Sequence, residues 1–307
     1  MKKLFFILAS FAFCGSLCSI SFAFAEMSST NYIIKFDDIS VGGGDTGTSA
    51  SYRLRDTVGG SAISQSTSTS YEMNPAYREG IYDRVAAFEV FIQDKSSQVA
   101  ATSLSGKTLV VTNASGFATG DMIAVVQNEG SSQVSAIGKI ITIIGTTITL
   151  DGIADNGTTP TIDGVTDYAY VMDATSLSLG ALSNRIVTTG LIGWQVSADV
   201  DGGYDIYIAE DGLLRDSVSG YTIPAVADGA VSEGNSEYGA ISSDLSLGAS
   251  TFDTQDTAFS TSLQQIASRD DATLNSRDFL TLKATSSSTQ AIASYSHALS
   301  LLYVGDY

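Results

Sequence analysis

Residues that build reactive sites are scarce: one histidine, one tryptophan and two cysteines in 307 residues. Both cysteines, Cys14 and Cys18, fall in the first 25 residues. There Met1-Lys2-Lys3, the apolar run LFFILASFAF and the small-residue site Ala23-Phe24-Ala25 form the three regions of a secretory signal peptide. A mature chain beginning at Glu26 has no thiol, which excludes disulfides, thiolate metal sites and cysteine nucleophiles from it. A lone histidine, His297, cannot assemble an N/S zinc set. No GxSxG elbow accompanies it, and the alternation around it reads as a half-buried strand position rather than a catalytic base. The glycine run GGGDTG lacks the lysine and the strand-to-helix context of a phosphate loop. One tryptophan is a thin platform for stacking sugars. A glycosidase carboxylate pair could be drawn from the 33 acids, but spacing along the chain singles out no pair.

Positive charge is also scarce. Removing Lys2 and Lys3 leaves 13 basic residues against 33 acidic ones, a formal charge of −20. Such a surface repels nucleic acid and anionic lipid, so neither is expected as a partner. Beyond the signal no apolar run approaches the roughly 18 residues of a membrane span, so no transmembrane segment is expected in the mature chain. The address that follows is extracellular or cell-surface.

What remains abundant is β-forming. Charged residues make up 16% of the chain and prolines number three, while Ser, Thr, Gly, β-branched and aromatic residues are plentiful. The fold class is all-β. The clearest stretch is IGWQVSADVDGGYDIYIAED, from Ile192 to Asp211. Ile192, Trp194, Val196, Ala198 and Val200 share one face of the first arm, and Tyr204, Ile206 and Ile208 repeat that face in the second. Read as a hairpin, a three-residue loop Asp201-Gly202-Gly203 pairs Val200 with Tyr204, Ala198 with Ile206 and Val196 with Ile208. That register sets Asp199 opposite Asp205, with Asp201 beside them. Like charges across a ladder repel. The three carboxylates therefore either lie solvated at a screened rim or hold a hard cation, and calcium is the candidate cofactor.

Four divisions follow along the chain. Residues 1–25 are the signal peptide. Residues 26–94 form an N-terminal repeat segment in which SSTNYII, TSASYRL and STSYEMN place Tyr32, Tyr52 and Tyr71 about 20 residues apart, and it closes on the strand VAAFEVFIQD. Residues 95–165 carry KTLVVTN, DMIAVVQN, QVSAIGKIITII and TTITLD with turns between them, a small inserted β-module or barrel. Residues 166–307 read as an antiparallel β-sandwich that includes YAYVMD, SLSLGALS and a long final strand AIASYSHALSLLYV, with one short helix at SLQQIAS, 262–268.

The order of SLSLGALS, the hairpin VDGGYDIYI, Gly/Ser/Asp-rich turns and a terminal YSHALSLLYV strand resembles secreted bacterial surface β-sandwiches of the WxL-like and spore-coat-U-like types. The leader SSTNYII with its echoes is similar to exported surface proteins of uncultivated small-genome bacteria. The sandwich resemblance covers 168–307 and the leader resemblance 28–82. Trp194 is followed by Gln195 and Val196, so the Trp-x-Leu signature itself is absent. The resemblance brings no catalytic residue. It implies a non-enzymatic structural or adhesive subunit of an envelope, coat or appendage, whose partners are other copies or envelope components. The alternatives are a carbohydrate- or surface-binding module, with calcium as its candidate stabiliser, and then a glycan-active hydrolase. Open sandwich edges and the extended leader from Ser28 to Val58 suggest strand addition between copies.

Overall fold

The computed structural model describes residues 86–198 and 202–306, together with short strands between 27 and 73. The chain divides into two compact units, 1–83 and 84–307. In the first, three short antiparallel ladders join β1 (Met27–Ser29) to β2 (Tyr32–Ile34), β3 (Gly42–Thr48) to β4 (Arg53–Val58), and β5 (Ser66–Thr67) to β6 (Glu72–Met73). Tyr52 and Tyr71 of the tyrosine repeat lie outside the described residues.

The second unit is all-β. Its strands are β7 (Ala86–Ile92), β8 (Val99–Ser105), β9 (Thr108–Val111), β10 (Met122–Gln127), β11 (Val134–Ile144), β12 (Thr147–Leu150), β13 (Ala154–Asp155) and β14 (Tyr168–Val171). They continue with β15 (Thr188–Ala198), β16 (Tyr204–Glu210), β17 (Leu214–Arg215), β18 (Thr222–Ile223), β19 (Glu237–Ser242), β20 (Gln264–Arg269), β21 (Thr273–Thr285) and β22 (Leu299–Gly305). One sheet of the sandwich runs β19-β21-β15-β7 and the other β20-β16-β22, all antiparallel.

The hairpin register expected for Ile192–Asp211 is not the one observed. β15 pairs with β21 and β7, while β16 pairs with β20 and β22, so the two arms lie in opposite sheets. Period-2 alternation specifies which residues share a face, and that face is the same whether the arms lie side by side or face each other. The facing arrangement wins because each arm then has partners on both edges. It also meets the other arm's apolar row across the core. Trp194, Val196, Ala198, Tyr204, Ile206 and Ile208 are all buried there, joined by Ile266, Leu280, Leu282, Tyr238 and Phe252. Gly203 makes the crossing possible. Its φ is +79°, and a Cβ at this position would stand 1.7 Å from the Arg269 carbonyl oxygen.

Three other segments differ from the reading of the sequence. SLQQIAS is strand β20 rather than helix, because Ile266 and Ala267 are buried against the core and Ala267 pairs with Ile206; nothing local enforces a helix once that ladder is available. SLSLGALS crosses the sandwich without joining a sheet. Its Leu177, Leu179 and Leu182 pack against the core, and the first two occupy the space a side chain on Gly190 would need. The last strand begins at Leu299, eight residues later than the apolar alternation does.

Residues 99–171 form a closed antiparallel barrel. The ring runs β10-β14-β8-β9-β12-β11 and closes through a further pairing of β10 with β11, with β13 appended to β11. Around the ring β8 passes from β14 to β9 and β11 from β10 to β12, with irregularities close to the changeover, between Ala101 and Ser103 and between Ile140 and Thr142. Such bulges bend a strand around a corner. Tyr168–Val171, read from the sequence as sandwich, completes this ring. The barrel is inserted between β7 and β15 and lies against the outer face of the larger sheet. There Met122, Ala124, Ile137, Tyr170 and Met172 pack on Leu191 and Phe279. Gly193 admits this contact, since its Cβ would lie 3.1 Å from both Ile137 and Met172.

Trp194 is 0% exposed at the centre of the sandwich. Trp194→Ala is expected to lower the unfolding free energy by about 3–5 kcal/mol, whereas Ile292→Ala, at a fully solvated side chain, should change it by less than about 0.5 kcal/mol. Urea denaturation of the two variants beside the parent measures both.

Candidate functional site

The acidic tip divides between described and undescribed residues. Asp199 and Asp201 lie outside the described residues. Asp205, on β16, has both carboxylate oxygens engaged: the Gln265 side-chain amide donates to Oδ1 (2.7 Å) and the Tyr207 hydroxyl to Oδ2 (3.1 Å). Asp205 itself is paired in register with Ser268 of β20 on one side and Val304 of β22 on the other. Among the described residues no group of three or more His, Cys, Asp or Glu side chains is arranged to hold a metal ion.

Beneath the tip lies a cluster with no signature in the sequence, since its members come from separate elements. Arg269 at the end of β20 donates to Asp244 Oδ2 (2.9 Å) and to Asp278 Oδ2 (2.7 Å). Asp244 also accepts from the backbone N–H groups of Ser246 and Ser268 and from the Ser246 hydroxyl. Asp278 Oδ1 accepts from the Ser243 hydroxyl at 3.3 Å. Two buried carboxylates thus share one guanidinium. Burial pushes the Asp278 carboxyl up to about 6, Arg269 pulls it down, and Asp244 raises it again. Tyr204, whose hydroxyl donates to Ser276 (3.2 Å), is pushed up to about 12, chiefly by burial. The cluster ties the start of β16 to β20, β21 and the loop after β19.

His297 occupies the other end of the sandwich. Its Nε2 lies 2.9 Å from the Tyr238 hydroxyl, and its Nδ1 lies 3.2 Å from the Gly212 carbonyl and 3.4 Å from Glu210 Oε2. Both ring nitrogens are engaged. Tyr238 and Phe259 enclose the imidazole edge-on. The group joins β16, β19 and the segment leading into β22. Trp194, considered as a sugar platform, is sealed in the core.

The sheet edges differ on the two sides of the sandwich. On the β19/β20 side the backbone is covered. β19 exchanges hydrogen bonds with Pro224, Val226 and Thr257. The carbonyls of Gln265 and Ile266 accept from Ser250 and Ser242, and Ser268 N–H donates to Asp244. On the opposite side, β7 and β22 each have one partner strand among the described residues. Gln93 N–H donates to Leu191, so the backbone groups of Phe88 and Val90 point away from β15. Asp306 N–H donates to Gly203, so those of Leu299 and Leu301 point away from β16. Phe88 and Tyr303 stack across the mouth between these edges at 5.8 Å. An edge pair of this kind can accept an added strand.

Comparison with protein-family models, with curated proteins and with solved structures finds no match.

Asp278 gives the site a pH dependence. Its folded pKa, about 6, is above the ordinary 3.8, so its contribution to stability is complete below 3.8 and is lost as pH rises through about 6. Asp278→Asn keeps the shape and removes the titration. The gain in stability of the parent between pH 7 and pH 5 should exceed that of the variant by on the order of 1 kcal/mol, read from urea melts at the two pH values.

Proposed function

We propose that the chain is an exported, non-enzymatic structural or adhesive subunit of an envelope, coat or appendage, and that copies associate by strand addition at the β7/β22 side of the sandwich. The observation that supports this reading is the asymmetry of the edges: one side is capped by bridges and side chains, the other leaves Phe88, Val90, Leu299 and Leu301 with outward-facing backbone groups. The proposed donor is the leader segment from Ser28 to Val58, in which Tyr32, Ile34 and Phe36 fall at every second position. Its address is extracellular or cell-surface, by way of the signal-like first 25 residues. Among the described residues no helix is long and apolar enough to cross a membrane.

A second reading is a carbohydrate- or surface-binding module using loops at the His297 end. It draws on Val218, Tyr221 and Ile292, which stand out into solvent on the hairpin of β17 and β18 and the neighbouring chain, with Val218 93% exposed. A glycan array separates the two readings, because a purely structural subunit binds no glycan selectively.

Size-exclusion chromatography tests the first. The chain from residue 26 should elute as an assembly, and removal of residues 26–60 should convert it to monomer. Val90→Pro, which removes an outward N–H and leaves the ladder to β15 intact, should weaken association without unfolding the sandwich. Monomeric behaviour of both the long and the shortened chain would refute strand addition. Abundance in purified envelope fractions tests the wider role.

A further inference from the structure

Lys283 is drawn into the protein rather than out to solvent. It lies on the outer face of β21, flanked in register by Thr189 of β15 and Gly239 of β19. Val226 packs directly over Gly239, where a Cβ would meet it at 2.6 Å, and Val187, Val226 and Val231 form a small buried apolar cluster on this side. Only 16% of the lysine side chain and 6% of the Asp256 side chain are exposed. The amine is 2.7 Å from Asp256 Oδ1. Among the described residues that oxygen nevertheless has no hydrogen bond of ordinary geometry, so the amine approaches it off the directions a hydrogen bond requires. The other oxygen, Oδ2, is held by the Val231 N–H at 2.9 Å, which fixes the carboxyl group in place. Glu237 lies on the same face of the sheet, diagonal to Lys283 in register, and provides a second carboxyl nearby.

We propose that Lys283 and Asp256 are joined by an intramolecular amide bond. Transfer of one proton within the pair gives the neutral amine and the carboxylic acid. The Nζ lone pair then attacks Cγ, the Nζ–Cγ bond forms, the Cγ–OH bond breaks, and the hydroxyl leaves with one amine hydrogen as water. No oxidant, reductant or cofactor enters the balance. Two features of the site favour the step. The reacting groups are held in contact by the sheet and by the Val231 N–H, which replaces a bimolecular encounter with a fixed one. The ion pair is also desolvated on both sides, and conversion to a neutral amide removes two charges from an apolar setting. The remaining buried or half-buried ion pairs differ in chemistry. Arg269 and Arg277 present guanidinium groups, which stay protonated. Lys95 contacts Glu129, but that pair is more exposed and the carboxylate accepts hydrogen bonds from Tyr170 and Gln98. In a chain whose mature part has no cysteine, this bond would be its covalent cross-link, tying the loop before β20 to the interior strand β21.

Tryptic mapping of the denatured full chain tests the proposal. Cleavage sites at Arg215, Arg269, Arg277 and Lys283 bound the relevant peptides, and acylation of Lys283 blocks cleavage after it. The expected product is peptide 216–269 joined to peptide 278–307, lighter than the sum of the two by one water. Lys283→Met and Asp256→Ala should each abolish the joined species. Recovery of 216–269 and 278–283 from the parent at their sequence masses would overturn the proposal, and so would a one-water deficit that maps to Lys95 and Glu129.

Discussion

Strand β15 has almost no free surface, and the rest of the second unit is arranged around that fact. Its two edges are hydrogen-bonded to β21 and β7. Its inner face carries Trp194 and Val196 into the sandwich core, while Leu191 and the bare backbone of Gly193 meet the barrel on the outer face. A strand enclosed on four sides has to satisfy every polar group it brings with it. Gln195 accepts from Arg277 Nε (2.7 Å), and the same guanidinium grips Asp151 at the barrel, so the polar residue of β15 becomes part of the clasp between barrel and sandwich. The Thr189 hydroxyl in turn donates to the side-chain carbonyl of Gln133. The indole N–H of Trp194 has no partner among the described residues, a polar cost that the surrounding apolar contact has to offset.

From this enclosure follows what could and could not be read along the chain. The face assignments of Trp194, Val196, Ala198, Tyr204, Ile206 and Ile208 were legible because burial on one side of a strand imposes a period of two wherever the strand sits. The partner of each strand was not legible. Alternation is unchanged when two arms move from the same sheet to opposite sheets, and here the deciding event is the approach of Gly203 to the Arg269 carbonyl, a contact between residues far apart in sequence. The same limit explains SLQQIAS, whose local composition is neutral and whose conformation is decided by its ladder to β16. Runs of strand-forming residues between 105 and 151 pointed to a small barrel, yet its closure depends on Tyr168–Val171 returning to β10 across a long loop. The Arg269, Asp244 and Asp278 cluster left no trace for a similar reason: its spacing exists only in three dimensions.

The placement of basic residues is as informative as their scarcity. Among the described residues, Arg269, Arg277 and Lys283 are drawn into partly or fully buried pairs with Asp244, Asp278, Asp151 and Asp256. Each of these carboxylates would be costly to bury alone, so the few cations are used where desolvation makes them most valuable. This also bears on the inferred amide between Lys283 and Asp256, since the environment that makes an ion pair there expensive is the one in which a neutral bond is most favoured.

An acidic surface and an open sheet edge act in opposite directions on association. Copies carrying a formal charge of −18 repel one another over roughly a Debye length, about 8 Å at physiological ionic strength. That repulsion guards the edges of β7 and β22, each with one partner strand among the described residues, against indiscriminate edge-to-edge contact, as charge does on other exposed edges. A strand added to the edge gains backbone hydrogen bonds at contact distance, whereas the repulsion is long-ranged and screened by salt. A donor with little negative charge of its own crosses that barrier more easily than a second acidic sandwich does. The segment from Ser28 to Phe36, with Lys35 and no acidic residue, has that character. Under the proposed strand addition, charge therefore favours a leader strand over a second sandwich edge at the β7/β22 side.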